Sequence, residues 1–251
     1  MNYGRILFVT DLDATLTCGE TLSAENENAI KRFVEKGGMF TLATGRTLSY
    51  VKEKFKGRLE PNAPVTTLNG TIITDCADES ILWEKALENE KEIISFIKEN
   101  IKPEKVEICT LNKRESAESI SIENEHVYKI VSVCENRCKA QEMMRLMNCR
   151  FGENCFTMRS WETGVETIHK KAGKGECIRR VKELCGADIC IAIGDYENDI
   201  DMIKRADIGI AVGNAHDSVK AVADIVTADA KDNAVAYVLE NIDKICMKVK
   251  A

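Results

Sequence analysis

Histidine and closely spaced cysteine pairs are scarce in this sequence, which argues against a zinc site. The 251 residues include three histidines, far apart at positions 126, 169 and 216, and none of the 11 cysteines belongs to a CxxC motif. Zinc sites need such residues in clusters. Scattered cysteines inside apolar runs are typical of free thiols in a reducing compartment. We therefore expect a cytoplasmic protein without zinc.

Long hydrophobic runs and clusters of basic residues are missing as well. The N-terminal apolar run covers only residues 6–9, which is too short for a signal peptide, and no later segment has the roughly 18 apolar residues of a membrane span. The net charge is −6, and without a basic patch we do not expect a nucleic-acid partner. The composition, 44% hydrophobic and 30% charged, suits a globular chain of one large or two small domains.

Short apolar runs recur along the chain, and each ends in polar residues or glycine. These runs cover residues 6–9, 39–43, 65–68, 189–193 and 208–212. Continuous apolar runs of this length are typical of strands buried on both faces, as in a parallel sheet. They predict the central sheet of an α/β protein.

Helical patterns fill the intervals between these runs. Ser23 is a predicted N-cap residue, Ile30 and Phe33 lie on one apolar face, and Gly37 ends the helix. Because strand and helix alternate in this way, we predict a doubly wound parallel sheet.

Residues 82–168 break this alternation, because β-like segments follow one another there and the residues are more polar. The patterns predict helices at 88–100 and 138–147, β segments at 106–111, 119–122 and 127–133, and a hairpin of 155–160 with 165–169. We therefore predict an inserted α+β domain at residues 82–168, within a core formed by residues 1–81 and 169–251.

Polar side chains follow the predicted strands of the core, where α/β sheets bind their ligands. They are Asp11, Asp13, Thr44, Asn69, Asp195 and Asn214. Asp11 and Asp13 are two residues apart, so both carboxylates point the same way in an extended segment. Crowded carboxylates repel each other unless a cation holds them, and Mg²⁺ prefers such oxygen ligands. Asp195 offers a third acid, with Asn198 and Asp199 on the turn behind it.

Two further residues suit phosphoryl transfer, which needs mainly positioning and charge neutralisation. Thr44 offers a hydroxyl close to backbone N–H groups, and Lys174 opens a helix from which its ammonium can reach a phosphate. A carboxylate such as that of Asp11 is an established type of nucleophile, which forms an aspartyl-phosphate. The segment KKAGKGEC is not a P-loop, because it lacks the Ser or Thr after the lysine.

Four motifs in this order resemble those of the haloacid dehalogenase (HAD) superfamily: DLDATL, TGR, the lysine of AGKGE, and GDYENDIDM. NGT at 69–71 and AVGNA at 211–215 resemble further loops of its Cof-like, sugar-phosphatase branch. The resemblance covers nearly the whole chain. It implies a Rossmann-like HAD core, and an insert between Asn69 and Lys174 that acts as a cap, closes over the site and selects the substrate.

The resemblance also implies roles for individual residues. Asp11 would be the nucleophile and a metal ligand, and Asp13 would be the general acid and then the base, with its backbone carbonyl on the metal. Thr44 and Lys174 would hold the phosphoryl group, and Asp195 would bind Mg²⁺ directly. The implied metal ligands are Asp11, Asp13, Asp195, Asn198 and Asp199. The implied substrate contacts are Thr44, Gly45, Arg46, Asn69, Gly70, Lys174, Asn198 and Asn214.

Several positions leave the sequence interpretation open. The family most often has glycine where Ala14 stands, and alanine there restricts the backbone beside the nucleophile. Arg46 either contacts substrate or pairs with an acid. The insert is short for the Cof-like branch, so the resemblance does not identify the substrate, and Met158, Arg159 and Trp161 are only candidates for selecting it.

The leading hypothesis is a Mg²⁺-dependent phosphatase that acts on a small phosphorylated metabolite, such as a sugar phosphate, through an aspartyl-phosphate. A phosphotransferase or phosphomutase is the alternative, because water and a sugar hydroxyl compete for the same intermediate. A non-catalytic phospho-acceptor domain fits less well, since it needs neither a cap nor a leaving-group acid at Asp13. We expect no nucleic-acid or membrane partner, and the sequence does not predict the oligomeric state.

Overall fold

The computed structural model describes residues 3–111, 113–118 and 125–249. Its strands are β1 (Ile6–Thr10), β2 (Met39–Leu42), β3 (Val65–Thr67), β4 (Ile72–Thr74), β5 (Ile81–Glu84), β6 (Lys105–Cys109), β7 (Arg114–Ser116), β8 (Lys129–Val133), β9 (Cys155–Arg159), β10 (Gly164–His169), β11 (Ile189–Gly194), β12 (Ile208–Ala211) and β13 (Ile225–Val226). Its α-helices are α1 (Ala24–Glu35), α2 (Leu48–Phe55), α3 (Glu90–Phe96), α4 (Arg137–Phe151), α5 (Lys174–Cys185), α6 (Ile200–Arg205), α7 (Asp217–Lys220), α8 (Ala234–Glu240) and α9 (Ile242–Val249). A π-helical segment, Ile97–Ile101, continues α3, and a 3₁₀ turn, Glu197–Asp199, precedes α6.

Five parallel strands form the central sheet, in the order β13-β12-β11-β1-β2. All five residues of β1 are buried, as expected of a strand that is covered on both faces. Phe8 belongs to the apolar cluster that includes α1 and α8, whereas Leu7 and Val9 pack with α5 and α6 on the opposite face. The predicted doubly wound parallel sheet is therefore confirmed.

The predicted strand at residues 65–68 does not extend this sheet as expected. It is shortened to β3, which pairs antiparallel with β4 in a separate sheet of order β3-β4-β5. A single β-bridge joins β3 to the segment after β2. The physical reason is the turn after β3, where Leu68, Asn69 and Gly70 all have positive φ. This turn sends the chain back into β4 instead of into a crossover helix.

The other five-stranded sheet is antiparallel and has the order β7-β6-β8-β10-β9. We call it the second sheet. Helices α3 and α4 cover one of its faces through an apolar cluster that includes Ile94, Met143 and Val165. The predicted hairpin is confirmed as β9 and β10. The sequence patterns missed β4, β5 and β7, which are only three or four residues long. The predicted β segment at 119–122 lies outside the described residues.

The cysteines are all free thiols, as the absence of CxxC pairs suggests. Burial raises the pKa of Cys190 to about 12, so this thiol stays protonated and unreactive near neutral pH. No helix within the described residues is long and apolar enough to cross a membrane.

Candidate active site

Three acids meet at the carboxyl end of the central sheet. Asp11 follows β1, Asp195 follows β11, and Asp199 ends the 3₁₀ turn behind Asp195. One carboxylate oxygen from each acid lies within 4.8 Å of the other two. They converge because β1 and β11 are adjacent and in register, with Thr10 beside Ile193. The two strands therefore deliver their following residues to the same point.

Lys174 lies among these acids as the first residue of α5. Its Nζ is 2.5 Å from Asp11 Oδ1 and 2.6 Å from Asp199 Oδ1, and the side chain is buried. Burial by itself lowers the pKa of Lys174, but the charges of Asp11 and Asp199 outweigh it, and the net pKa is raised. The side chain is therefore a protonated ammonium at the centre of the site.

Three carboxylates and one ammonium leave this cluster with a surplus of negative charge. Burial, together with the charges of Asp199 and Asp195, raises the pKa of Asp11 well above its usual value, although Lys174 acts in the opposite direction. Burial and then the charge of Asp199 raise the pKa of Asp195 to about 7. A divalent cation would remove the surplus, and carboxylate oxygens are the ligands that Mg²⁺ prefers. The residues present therefore fit a magnesium ion.

Asp199 is engaged by protein groups on both of its oxygens. Oδ1 accepts from Lys174, and Oδ2 accepts from the backbone N–H groups of Asp195 at 2.9 Å and Tyr196 at 3.1 Å. These bonds fix the loop after β11. The Asp195 carboxylate is less engaged: its Oδ1 accepts a hydrogen bond from the hydroxyl of Thr15 at 2.9 Å. Asp195 is thus freer than Asp199 to ligate a metal.

Asp13 lies beside this cluster, but its side chain is paired with Arg46. The guanidinium donates from Nε at 2.9 Å and from Nη2 at 3.0 Å to the two carboxylate oxygens. It also lies over the ring of Tyr50, 4.7 Å from the ring centroid. Both charged side chains remain partly exposed, at 41% and 43%. Of the two sequence alternatives for Arg46, pairing with an acid is the one present here.

Thr44 and Gly45 form the loop after β2. Thr44 is buried, its N–H donates to Thr66 O at 2.9 Å, and its hydroxyl accepts from the N–H of Arg46 at 3.1 Å. A Cβ added to Gly45 would lie 3.2 Å from Asn69 Oδ1. The absence of a side chain at Gly45 therefore lets this loop lie against Asn69.

The turn after β3 contacts both the loop after β11 and the start of α5. Asn69 Oδ1 accepts from Asn198 Nδ2 at 3.1 Å, so the Asn198 amide turns toward Asn69. Gly70 has φ +87°, and a Cβ there would lie 2.1 Å from the carbonyl carbon of Gly173. The Gly173 N–H donates to Gly70 O at 3.1 Å. Gly70 thus allows the close backbone contact that positions the start of α5 and Lys174.

Asn214 links the loop after β1 to the backbone at Ala230. Its Nδ2 donates to the carbonyl oxygen of Ala14 at 2.9 Å, and its Oδ1 accepts from the N–H of Ala230 at 2.7 Å. Both ends of the amide are therefore used in tying loops together, and Ala14 is fixed three residues after Asp11.

Ala14→Gly should stabilise the protein. Ala14 has φ +58°, a left-handed conformation that costs an L-residue roughly 1–2 kcal/mol and glycine very little. After subtracting the greater entropy that glycine loses on folding, we expect a gain of about 0.5–1 kcal/mol in the free energy of unfolding. Urea unfolding followed by circular dichroism measures it. A loss of stability in Ala14→Gly would show that this φ is not strained.

Four side chains at these loops were not singled out from the sequence. Thr15 had a signal, because it is the threonine of the DxDxT pattern. Lys129, Ser160 and Glu166 belong to or follow strands of the second sheet, and they contact Gly45 and Asn69. No motif marks them, and their positions depend on how the two sheets pack together.

The family model of haloacid dehalogenase-like hydrolases matches residues 8–116 and 100–239 of the chain. The chain belongs to this family. The chain is 28% identical to a Bacillus subtilis 5-amino-6-(5-phospho-D-ribitylamino)uracil phosphatase, over 94% of each chain. A phosphoglycolate phosphatase from Methanosarcina acetivorans is also 28% identical, over 90% of this chain and 92% of the relative.

Solved structures of this hydrolase family have the same fold. A haloacid dehalogenase-like hydrolase from Bacillus subtilis superposes with a TM-score of 0.84 at 20% identity, over 94% of this chain and 99% of the other. A subclass IIB sugar phosphatase gives a TM-score of 0.77 at 21% identity, over 94% and 98%. The fold expected from the motif resemblance is therefore confirmed.

Proposed function

We propose that this protein is a Mg²⁺-dependent phosphatase that hydrolyses a small phosphorylated metabolite through an aspartyl-phosphate on Asp11. The observation that carries the proposal is the buried contact between Lys174 Nζ and Asp11, 2.5 Å long, beside Asp195, which follows the adjacent strand β11. Two relatives that align with almost the whole chain are named phosphatases, which supports the same reaction class. A sugar phosphate or a similar phosphomonoester is the proposed substrate.

Asp11 would attack the phosphorus atom of the substrate. Lys174 engages Oδ1 of Asp11, which leaves Oδ2 to form the new P–O bond. The ammonium counteracts the effect of burial on the pKa of Asp11 and so favours the ionised, nucleophilic carboxylate. Bound Mg²⁺ would supply further charge neutralisation for the phosphoryl oxygens.

Asp13 would give a proton to the leaving oxygen and then accept one from the water that hydrolyses the aspartyl-phosphate. The two bonds from Arg46 orient the Asp13 carboxylate. A protonated Asp13 cannot accept both of them equally well, so Arg46 would release at least one bond during proton transfer. Hydrolysis then returns Asp11 to its carboxylate and frees inorganic phosphate.

The unit that carries the second sheet would be the cap. Lys129 of β8 donates to the carbonyl oxygen of Gly45 at 2.8 Å, and Arg159 of β9 donates to Glu197 with Nε at 2.9 Å. These contacts reach the loop after β2 and the loop after β11. Closure of such a cap excludes water and strengthens the electrostatic interactions inside the site.

Phosphate release from a panel of phosphorylated metabolites tests the proposal. We expect turnover with Mg²⁺, none with EDTA, and recovery when Mg²⁺ is added back. Faster transfer to an added sugar alcohol than to water would favour a phosphotransferase. A long-lived phosphate on Asp11 without turnover would favour a phospho-acceptor domain, and either result would overturn the phosphatase assignment.

A further inference from the structure

A cleft of about 470 Å³ lies between the second sheet and two helices that pack on the central sheet. Phe156 of β9 forms one wall, and Lys170 and Lys171 form another. These two lysines belong to residues 170–173, which join β10 to α5 and which we call the link. The other lining residues come from the link, α5 and α6: Ala172, Glu176, Arg180, Asp201 and Arg205. This link cleft has a volume in the range of small-molecule sites.

The link cleft is separate from the active site, although both involve α5. The side chain of Lys174 points toward Asp11 and Asp199. Glu176 lies two residues further along the helix and therefore about 200° around its axis. Arg180 follows Glu176 by four residues and lies on the same face as Glu176. The catalytic lysine and the lining residues of the cleft are therefore on different sides of α5.

The two arginines of the cleft are held in place by neighbouring side chains. Arg180 Nη2 lies 2.9 Å from Glu176 Oε1, and the guanidinium lies over the ring of Trp83, 4.7 Å from its centroid. Arg205 Nε donates to Asp201 Oδ1 at 2.7 Å. Because these contacts restrict both side chains, a ligand that binds to them pays little conformational entropy.

The two lysines of the link supply positive charge that no acid compensates. Lys170 and Lys171 are both exposed, and neither ammonium has a carboxylate partner among the residues that the structure describes. The cleft contains four cationic side chains but only two acids, and both acids are already paired with arginines. The net charge of the chain is −6, so this positive charge is a local feature that attracts an anion.

The types of cation in the cleft suit phosphate groups. Guanidinium groups bind phosphate oxygens with forked N–H donors, and ammonium groups bind them as point charges. A single phosphate concentrates its charge on one centre. A diphosphate spreads its charge over two centres, so it can meet the arginines of the helices and the lysines of the link together.

We infer that the link cleft binds a small anion that carries a diphosphate group, either inorganic or part of a nucleotide. The bound anion contacts the second sheet, the link and helices α5 and α6 at the same time. It therefore stabilises the present arrangement of the second sheet against these helices. The inference goes beyond the proposed reaction and does not depend on it.

Isothermal titration calorimetry in EDTA near pH 8, with inorganic pyrophosphate and with ADP, tests the inference. Without Mg²⁺, the surplus negative charge of the active-site acids repels both probes, so binding reports on the cleft. We expect the wild-type protein to bind one equivalent of pyrophosphate. A higher affinity for ADP would identify a nucleotide as the ligand, with Phe156 beside its base. An equal or lower affinity for ADP would identify the inorganic anion.

Substitutions in the cleft should change the affinity in opposite directions. Lys170→Met combined with Lys171→Met should weaken pyrophosphate binding by at least about tenfold, since two charge-assisted contacts are lost. Glu176→Gln should tighten it about threefold, because it removes a negative charge from the cleft, and structural damage does not explain a gain. Lys91→Met combined with Lys244→Met is the matched control. It removes two exposed lysines outside the cleft, and the affinity should stay within about twofold.

Three results would overturn the inference. The first is that neither probe binds to the wild-type protein at concentrations up to about 1 mM. The second is that the control pair weakens binding as much as the pair in the link, which would indicate general surface charge. The third is that Glu176→Gln fails to tighten binding, and this result decides if the double variant of the link does not fold. All three are measured without Mg²⁺ or substrate, so they leave the phosphatase proposal untouched.

Discussion

Asp11→Asn should abolish phosphate release, with kcat lower by at least about a thousandfold, as expected when a covalent nucleophile is removed. The amide keeps the shape of the side chain, and its oxygen still accepts from Lys174, which lies 2.5 Å from Asp11 Oδ1 in the wild type. An amide oxygen is a poor nucleophile, so no aspartyl-phosphate forms. Rates of phosphate release for both proteins, measured with Mg²⁺ and the best substrate, give the ratio.

The same variant should be more stable than the wild type in EDTA. Burial and the neighbouring acids raise the pKa of Asp11, so its ionised form is disfavoured in the folded protein. Asparagine removes this negative charge, and urea unfolding near pH 8 should show the gain. Because activity falls while stability rises, the loss of turnover cannot be attributed to unfolding. Asp188→Asn is the control, since Asp188 pairs with Arg5 at the surface and should change neither quantity strongly.

Turnover that survives in Asp11→Asn would exclude an aspartyl-phosphate at this position. The site would then have to use a water molecule directly, with Asp13, Asp195 and Asp199 as the remaining acids. Mass spectrometry after a rapid acid quench would show whether the wild-type protein carries a phosphate on Asp11 during turnover.

The convergence of Asp11, Asp195 and Lys174 could be predicted from the sequence because it follows from a simple geometric rule. Parallel strands end at one edge of a sheet, so the residues after β1 and β11 meet there. The start of α5 is brought to the same edge by the tight backbone contact between Gly70 and Gly173.

The ion pair of Lys129 and Glu166 could not be predicted in the same way. The two residues are 37 positions apart, and each lies in a polar strand whose pattern suggests partial exposure. Their burial comes from packing of the second sheet against the catalytic loops, which no local periodicity encodes. Arg46 illustrates a related limit, because its partner Asp13 is separated from it by all of α1 and β2.

The edge of the central sheet was predicted less well than its centre. The apolar run at 65–68 favours a buried strand, and β3 is indeed buried. Three consecutive positive φ values at Leu68, Asn69 and Gly70 then override the pattern. Asn69 and Gly70 are typical of a turn with positive φ, but leucine rarely adopts this conformation, so residue type did not indicate that the turn begins at Leu68.

Lys174→Met should destabilise the protein by about 3–5 kcal/mol near pH 8, because removing one partner of a buried ion pair leaves the other charges uncompensated. Lys174 is fully buried between Asp11 and Asp199. Methionine has a similar shape but no charge, so packing is largely kept. Activity should fall by at least about a hundredfold, since the variant cannot stabilise the transferring phosphoryl group.

The loss of stability in Lys174→Met should shrink as the pH falls. Lys174 lowers the pKa of Asp11 in the wild type, so its removal raises that pKa further. The folded variant then binds more protons than its unfolded chain, and its stability rises on acidification from pH 8 toward pH 5. Lys182→Met removes a lysine of the same helix that pairs with Asp207 at the surface, and it should cost no more than about 1 kcal/mol. A pH-independent loss in Lys174→Met, measured in EDTA by urea unfolding, would mean that packing rather than charge compensation is the main role of this lysine.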